Sequence, residues 1–288
     1  MTRTVDRAPF EIDVRSGEVL CGDIWRPGEP AGGTAIVVCH GFKGFKDWGF
    51  FPYVSQELAR RTGYVTASFN FTGSGIGDEL ERFTEMEAFA TNTIGREMED
   101  LQVVLDRLSA GRVGDVRVPP AGRFGLLGHS RGGATCLLTA AALSRVEALV
   151  TWSAIASLER YEERHAPTWE AGEVVTIVNA RTGREMPLRR NVLDDLRAHR
   201  DRRDLLLAAR SLQIPWLVVH GTEDESVPFA EAEELAEAGG EHASLVALEG
   251  AGHTFGAGHP FGGTNDMLER VVERSGDFLR RALPAAAP

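Results

Sequence analysis

Cysteine is scarce in this sequence, and its positions favour neither a disulfide framework nor a metal site. Only three occur in 288 residues, at Cys21, Cys39 and Cys136. Cys39 and Cys136 stand inside apolar runs, where a free cysteine packs as a small hydrophobic side chain. The spacing therefore excludes a disulfide-stapled scaffold and a cysteine-based zinc module, and we expect no metal.

Long hydrophobic runs are also missing. No apolar stretch approaches the ~20 residues that a membrane-spanning helix needs. The first residues, Met1 to Arg7, contain no apolar segment of the kind that secretory signals carry. We therefore expect a cytoplasmic protein that has no membrane partner.

Positively charged residues are fewer than negatively charged ones. The sequence has 31 Lys and Arg residues and 42 Asp and Glu residues, which gives a formal net charge of −11. Such a field repels nucleic acid and anionic membranes, so neither is expected as a partner. Hydrophobic residues make up 43% and charged residues 25%, as in ordinary globular proteins. A sizeable core can be buried, and we expect one domain spanning 1–288.

Strands and helices alternate along most of the chain. Alternating residues at 10–14 and 19–25 predict an antiparallel hairpin. Further strands are predicted at 34–39, 64–70, 123–127, 148–152, 215–220 and 243–248, and helices at 51–62, 93–110, 132–143, 230–236 and 266–283. Short apolar strands alternating with helices imply an α/β fold with a mostly parallel sheet covered by helices on both faces.

One long segment, from about Ser157 to Arg210, interrupts this alternation. It is polar and rich in Glu and Arg, and its only predicted strand is 174–178. An insertion of this length between two sheet strands is often functional. We expect either a cap-like lid or a pair of solvated surface helices.

The strongest local motif is a serine flanked by glycines, Gly128-His129-Ser130-Arg131-Gly132. It lies where a predicted strand ends and a predicted helix begins, which is the context of a nucleophile elbow. The glycines permit a sharp turn, and the helix N-terminus favours a developing negative charge. Ser130 is therefore the predicted nucleophile.

A serine nucleophile needs a base, and the base needs an orienting carboxylate. His253 follows the last predicted strand and is the expected base, with His259 as the nearest rival. Asp224 stands in the turn after the preceding strand, and Glu223 and Glu225 beside it are alternatives. The chain order serine, acid, histidine is the one expected when the groups leave successive strand ends of one sheet.

An oxyanion hole needs two free backbone N–H groups near the nucleophile. Gly41 and Phe42 follow the strand at 34–39, so the Phe42 N–H is one predicted donor. The N–H of Arg131, directly after the nucleophile, is the other. We expect no organic cofactor, because these groups suffice for acyl transfer.

At these residues the sequence resembles the α/β-hydrolase superfamily, in particular its carboxylesterases and its serine peptidase-like and dienelactone-hydrolase-like branches. The matching motifs are His40-Gly41-Phe42, the Ser130 motif, Gly221 to Asp224, and Gly252-His253. The resemblance spans nearly the whole chain and implies eight strands, with a cap between the sixth and seventh. Dienelactone hydrolases carry cysteine as the nucleophile and dehalogenases carry aspartate, so Ser130 departs from both.

These observations predict a serine carboxylesterase-like hydrolase acting on a small-molecule acyl ester. A serine peptidase or amidase with the same triad is the alternative. A non-catalytic binding protein of this fold is expected to have lost a triad member, and a scaffold protein is expected to show repeats. Neither feature occurs in the sequence.

Overall fold

The computed structural model describes residues 3–15, 17–77, 79, 82–179 and 182–283. Its strands are β1 (Val5–Arg15), β2 (Glu18–Pro27), β3 (Gly33–Cys39), β4 (Val65–Phe69), β5 (Arg112–Val113), β6 (Val116–Arg117), β7 (Ala121–His129), β8 (Val146–Trp152), β9 (Val175–Val178), β10 (Glu185–Leu188), β11 (Trp216–Gly221) and β12 (Ala243–Leu248). Its helices are α1 (Phe51–Thr62), α2 (Met86–Ala90), α3 (Ile94–Ser109), α4 (Arg131–Ala142), α5 (Glu159–Glu170), α6 (Asn191–Ala198), α7 (Leu205–Ser211), α8 (Phe229–Gly239) and α9 (Asp266–Ala282).

Eight of the strands form one sheet in the order β1-β2-β4-β3-β7-β8-β11-β12. The β1–β2 and β2–β4 pairs are antiparallel, and every other pair in this sheet is parallel. The predicted fold class, a mostly parallel eight-stranded α/β sheet, is confirmed. Each predicted strand and helix outside the 157–210 segment corresponds to an observed element.

The central strands are buried on both faces, which explains their continuous apolar sequences. All five residues of β4 are buried, as are the last six of β3. Helices α3, α4, α7 and α8 pack on one face, and α1 and α9 pack on the other. Cys39 and Cys136 are buried in the first of these layers, as the sequence predicts.

Helix boundaries follow local capping chemistry. The Thr93 side chain accepts a hydrogen bond from the Arg96 N–H at the start of α3, and the Asn265 side chain caps α9 in the same way. Helix α1 ends at Gly63, which adopts a left-handed conformation with φ of 79°. These caps agree with the predicted element ends to within a residue or two.

The carboxyl ends of the parallel strands meet at one edge of the sheet. Cys39 of β3 pairs with Gly128 of β7, and Gly221 of β11 pairs with Leu248 of β12. The loops that carry Phe42, Ser130, Asp224 and His253 therefore leave the sheet at the same edge. Catalytic groups of open α/β sheets gather at this edge.

The segment between β8 and β11 contains α5, the antiparallel hairpin β9–β10, α6, a 3₁₀ turn at 200–203, and α7. Part of it packs in a separate apolar cluster that includes Trp169 and Met186, together with Phe45 and Phe83 from the loops after β3 and β4 and Phe89 from α2. The predicted strand at 174–178 corresponds to β9, but the prediction that the segment has no other strand was wrong, because β10 pairs with β9. Within the described part of the chain, no helix has the length and apolar character to cross a membrane.

Candidate active site

Ser130 occupies the turn between β7 and α4 in a backbone conformation that non-glycine residues rarely adopt. Its φ is 56° and its ψ is −125°. Such a conformation costs about 1–3 kcal/mol and persists only where the surroundings hold it. The Ser130 N–H donates to the Trp152 carbonyl at 2.8 Å, and the Ser130 carbonyl accepts from the Gly133 N–H at 2.9 Å.

The glycines around Ser130 are required by close packing. A Cβ added at Gly128 would lie 2.3 Å from the Gly132 carbonyl oxygen, and one at Gly132 would lie 2.3 Å from the His40 carbonyl oxygen. Neither glycine has a positive φ. The strand-turn-helix geometry expected of the motif is present, and the absent side chains let β7, α4 and the loop after β3 meet.

His253 and Asp224 form a direct hydrogen bond between the loops that follow β12 and β11. The distance from His253 Nδ1 to Asp224 Oδ2 is 2.8 Å. A carboxylate at this position accepts, so the Nδ1–H donates and the neutral ring keeps Nε2 unprotonated. That is the tautomer in which Nε2 can take a proton from a hydroxyl.

Asp224 is buried and hydrogen-bonded through both of its carboxylate oxygens. Oδ1 accepts from the N–H groups of Ser226 and Val227, each at 2.9 Å. Burial acts to raise the pKa of Asp224, but hydrogen bonds from His220 and His253 outweigh it, so the pKa lies below its ordinary value. Asp224 is therefore ionised at neutral pH.

The alternative acids, Glu223 and Glu225, are exposed in the same turn. Among the described hydrogen bonds, His253 pairs with Asp224 and with neither glutamate. The short side chain of Asp224 is fixed inside the turn, whereas its neighbours point to solvent.

His220 is a functional candidate that the sequence reading missed. It is the second-last residue of β11 and is fully buried, with Nε2 2.8 Å from the Val227 carbonyl oxygen and 3.3 Å from Asp224 Oδ2. Because both neighbours are acceptors, Nε2 carries the proton. The available signal was a histidine in a buried strand four residues before the acid.

His129 connects the nucleophile turn to the base loop. Its Nε2 lies 2.9 Å from the His253 carbonyl oxygen, and the two imidazole rings are 4.7 Å apart. Burial and the neighbouring His253 lower the pKa of His129 to about 3. The ring is therefore neutral at pH 7, and its Nε2–H donates to the carbonyl.

His259, the rival base, is engaged elsewhere. Its Nδ1 accepts from the Gly49 N–H at 3.0 Å, and its ring packs against Phe45 and Trp48. It does not line the cavity that contains Ser130 and His253.

The two predicted oxyanion donors belong to the residue after Ser130 and to the loop that follows β3. Arg131 begins α4, where first-turn N–H groups have no partner within the helix. Across the described residues, neither its N–H nor that of Phe42 donates to a protein acceptor. A Cβ added at Gly41 would lie 2.9 Å from Ser130 Cβ, so the loop before Phe42 packs directly against Ser130.

Ser130, His253, Phe42 and Arg131 line one cavity of about 590 Å³. Asp224 is not in its lining and lies behind the imidazole. No hydrogen bond joins Ser130 Oγ to the His253 ring in the described part of the chain. Catalytic hydrogen bonds are often long in unliganded enzymes and tighten when substrate binds.

No group of three or more metal-ligating side chains occurs within the ranges that the structure describes. The histidines near Ser130 are occupied by Asp224 and by backbone carbonyl oxygens. The chemistry open to this arrangement is therefore proton transfer between a hydroxyl and an imidazole, beside two free N–H donors.

Comparison with known families identifies one family for this chain. The model of the "Alpha/beta hydrolase family" matches residues 36–267, which is most of the chain. The chain therefore belongs to the α/β hydrolase family, a class of hydrolytic enzymes. A search of curated proteins finds no match.

Solved structures share the fold at low sequence identity. Est1E from Butyrivibrio proteoclasticus is 19% identical with a TM-score of 0.68, covering 96% of this chain and 98% of that one. The esterase domain of a Rhodothermus marinus protein is 24% identical with a TM-score of 0.66, covering 97% and 100%. Dienelactone hydrolase from Anabaena variabilis ATCC 29413 is 18% identical with a TM-score of 0.64, covering 97% and 99%.

Proposed function

We propose that this enzyme hydrolyses carboxylic esters through an acyl-enzyme intermediate, with Ser130 as nucleophile, His253 as base and Asp224 as the orienting acid. The observation that carries the proposal is the 2.8 Å hydrogen bond from His253 Nδ1 to Asp224, in a histidine that shares a cavity with a strained serine. Backbone strain at a serine that lines a cavity is typical of a functional position.

In the first step Ser130 Oγ attacks the acyl carbonyl while His253 Nε2 takes the hydroxyl proton. The ionised Asp224 stabilises the resulting imidazolium. The N–H groups of Phe42 and Arg131 bind the tetrahedral oxyanion, which lies at the N-terminus of α4. His253 then protonates the leaving alkoxide, and the acyl group remains on Ser130.

In the second step water attacks the acyl-enzyme with His253 again acting as base. The tetrahedral intermediate collapses, Ser130 recovers its proton and the acid leaves. Both steps require Ser130 Oγ and His253 Nε2 to come within hydrogen-bonding distance when substrate is bound.

Ester substrates are favoured over aminopeptidase substrates by the charge of the cavity. An aminopeptidase needs an acidic group to hold the substrate ammonium, and no Asp or Glu lies among the described residues that line this cavity. Esters also have better leaving groups than amides, so they need no dedicated proton donor beyond His253.

The proposal is tested with p-nitrophenyl butyrate, a fluorophosphonate probe and the variants Ser130→Ala and His253→Ala. We expect each variant to lose about 10⁴-fold or more in kcat, and Ser130→Ala to lose labelling. Ser244→Ala, a change at an exposed serine of β12, is the matched control and is expected to behave as wild type. Full activity of Ser130→Ala would falsify the proposal, whereas Ser130-dependent cleavage of an aminoacyl naphthylamide faster than esters would favour the amidase alternative.

A further inference from the structure

The candidate catalytic cavity is lined by positive charge, although the chain as a whole has a net charge of −11. Its described lining includes Lys43, Arg131, Arg160 and Arg164, and no acidic side chain. The chain has more acidic than basic residues, so the sign of the charge in this cavity is opposite to the net charge of the protein. Clefts lined by one sign of charge concentrate ligands of the opposite sign.

Helix α5 separates its charges between two faces. Arg160, Tyr161, Arg164 and His165 line the cavity, and their i, i+1, i+4, i+5 spacing places them on one side of the helix. Arg160 and Arg164 are like charges four residues apart. Such a pair lowers the stability of an isolated helix by about 0.2–0.5 kcal/mol.

The acids of α5 turn away from the cavity. Glu159 pairs with Arg200 at 2.5 Å, and Glu162 pairs with Arg197 at 2.8 Å and with Arg200 at 2.7 Å. These partners belong to α6 and the 3₁₀ turn that follows it. Glu159 and Glu162 are therefore paired outside the cavity and do not neutralise its arginines.

Two of the four cavity cations already have carboxylate partners. Arg131 lies 3.1 Å from the buried Glu97, and Arg160 pairs with Glu231. These pairs leave little of their charge for a ligand. They also hold the walls of the cavity in place.

Arg164 and Lys43 remain without a carboxylate partner in the described part of the chain. Arg164 is exposed at the cavity, and Lys43 Nζ donates to the Val178 carbonyl oxygen at 3.4 Å. Burial lowers the pKa of Lys43, because the ammonium is partly removed from water and no nearby anion among the described residues compensates. Burial and then Arg164 also lower the pKa of His165, so this ring adds no cation at neutral pH.

We propose that the ester this cavity accepts carries a carboxylate, bound by Arg164 and Lys43 while the scissile acyl group lies at Ser130. This inference rests on the proposed esterase function. The rest of the lining includes Trp48, Phe51, Ile155, Ile177 and Leu188, which suit an apolar body between the two ends. The substrate class is thus a carboxylate-bearing ester with an apolar core.

The test compares p-nitrophenyl butyrate, mono-p-nitrophenyl glutarate and 4-carboxyphenyl butyrate. Mono-p-nitrophenyl glutarate carries its carboxylate on the acyl side of the ester, and 4-carboxyphenyl butyrate carries it on the alcohol side. Each kcat/KM is divided by the ester's rate of hydroxide hydrolysis, which removes differences in chemical reactivity. We expect one carboxylate ester to exceed the neutral ester by about tenfold, and about 0.5 M salt to erode that ratio by screening.

Arg164→Gln should lower the carboxylate-to-neutral ratio about fivefold, the upper range for one exposed ion pair, mainly through KM. Arg164→Lys keeps the charge and should restore most of the ratio. The matched control is Arg210→Gln, which removes the same charge from an exposed position outside the cavity and should leave the ratio unchanged.

A ratio near one for both carboxylate esters, or a ratio that Arg164→Gln does not change, overturns the inference. If the neutral ester is still cleaved in a Ser130-dependent way, the esterase proposal survives that result. If none of the three esters is cleaved, both the esterase proposal and this inference fail.

Discussion

The ion pair between Arg131 and Glu97 provides a prediction about the stability of the active site. Arg131 follows Ser130, and its side chain is buried with Nη2 3.1 Å from Glu97 Oε1. Its guanidinium also lies 5.1 Å from the Phe42 ring and 5.6 Å from the Tyr161 ring. Arg131→Met removes the charge and keeps an unbranched apolar stem.

The expected cost follows from what the substitution leaves behind. Glu97 is buried, and among the contacts of the described residues it keeps hydrogen bonds from Asn92 and Thr135, each at 2.8 Å. Removing one partner of a buried pair typically costs about 3–5 kcal/mol, because the other charge stays uncompensated. In a chain of this length we expect the melting temperature to fall by about 10 °C.

The loss should depend on pH with a definite sign. Burial raises the pKa of Glu97 above 4.5 in the wild type, and Arg131 opposes that rise. Without Arg131 the pKa of the folded state rises further, so the folded state binds more protons than the unfolded state above pH 4.5. The destabilisation is therefore small near pH 4.5 and grows as pH increases toward the new folded-state pKa.

The measurement is urea unfolding of Arg131→Met at pH 5 and pH 8, beside Arg131→Met/Glu97→Gln. The second substitution removes the stranded charge, and we expect it to recover at least half of the loss at pH 8. Equal losses at the two pH values, or no recovery in the double variant, would refute the assignment of the cost to the Glu97 carboxylate.

Two further predictions concern residues around the candidate triad. His220→Phe removes a donor to Asp224, so we expect kcat to fall about tenfold with KM little changed and the acidic limb of the pH profile to shift upward. If the pH profile of kcat does not shift, His220 contributes packing alone and does not act through Asp224. Gly132→Ala forces a Cβ to within 2.3 Å of the His40 carbonyl oxygen, so we expect the free energy of unfolding, measured by thermal unfolding, to fall by about 1–3 kcal/mol. Gly122→Ala is the control and should leave that free energy unchanged, because nothing lies within 4 Å of the added Cβ. Equal stability of the two alanine variants would contradict the packing argument.

The strand-turn-helix around Ser130 could be predicted from sequence because its determinants are local. An apolar strand, closely spaced glycines and an apolar helix follow one another between residues 121 and 142. The loops of His253 and Asp224 were predicted by a similar argument, since each follows a short apolar strand. Parallel pairing then requires these strand ends to share an edge.

Other features depend on contacts that the sequence does not display. Helix α2 has only five residues, too few for a helical period to emerge. Strand β10 contains Pro187 and is recognisable only through its pairing with β9. The charged faces of α5 could not be assigned, because their orientation depends on Arg197 and Arg200, which lie 27 to 41 residues further along the chain.

The hydrogen bond from His129 to the His253 carbonyl has a consequence for how the serine motif is understood. A Gly-x-Ser-x-Gly pattern treats the residue before the serine as interchangeable. In this protein that residue is a cross-link between two loops 124 positions apart. Replacing His129 with a side chain that has no donor would uncouple the loop of His253 from the turn at Ser130, while every residue of the proposed triad stayed in the chain.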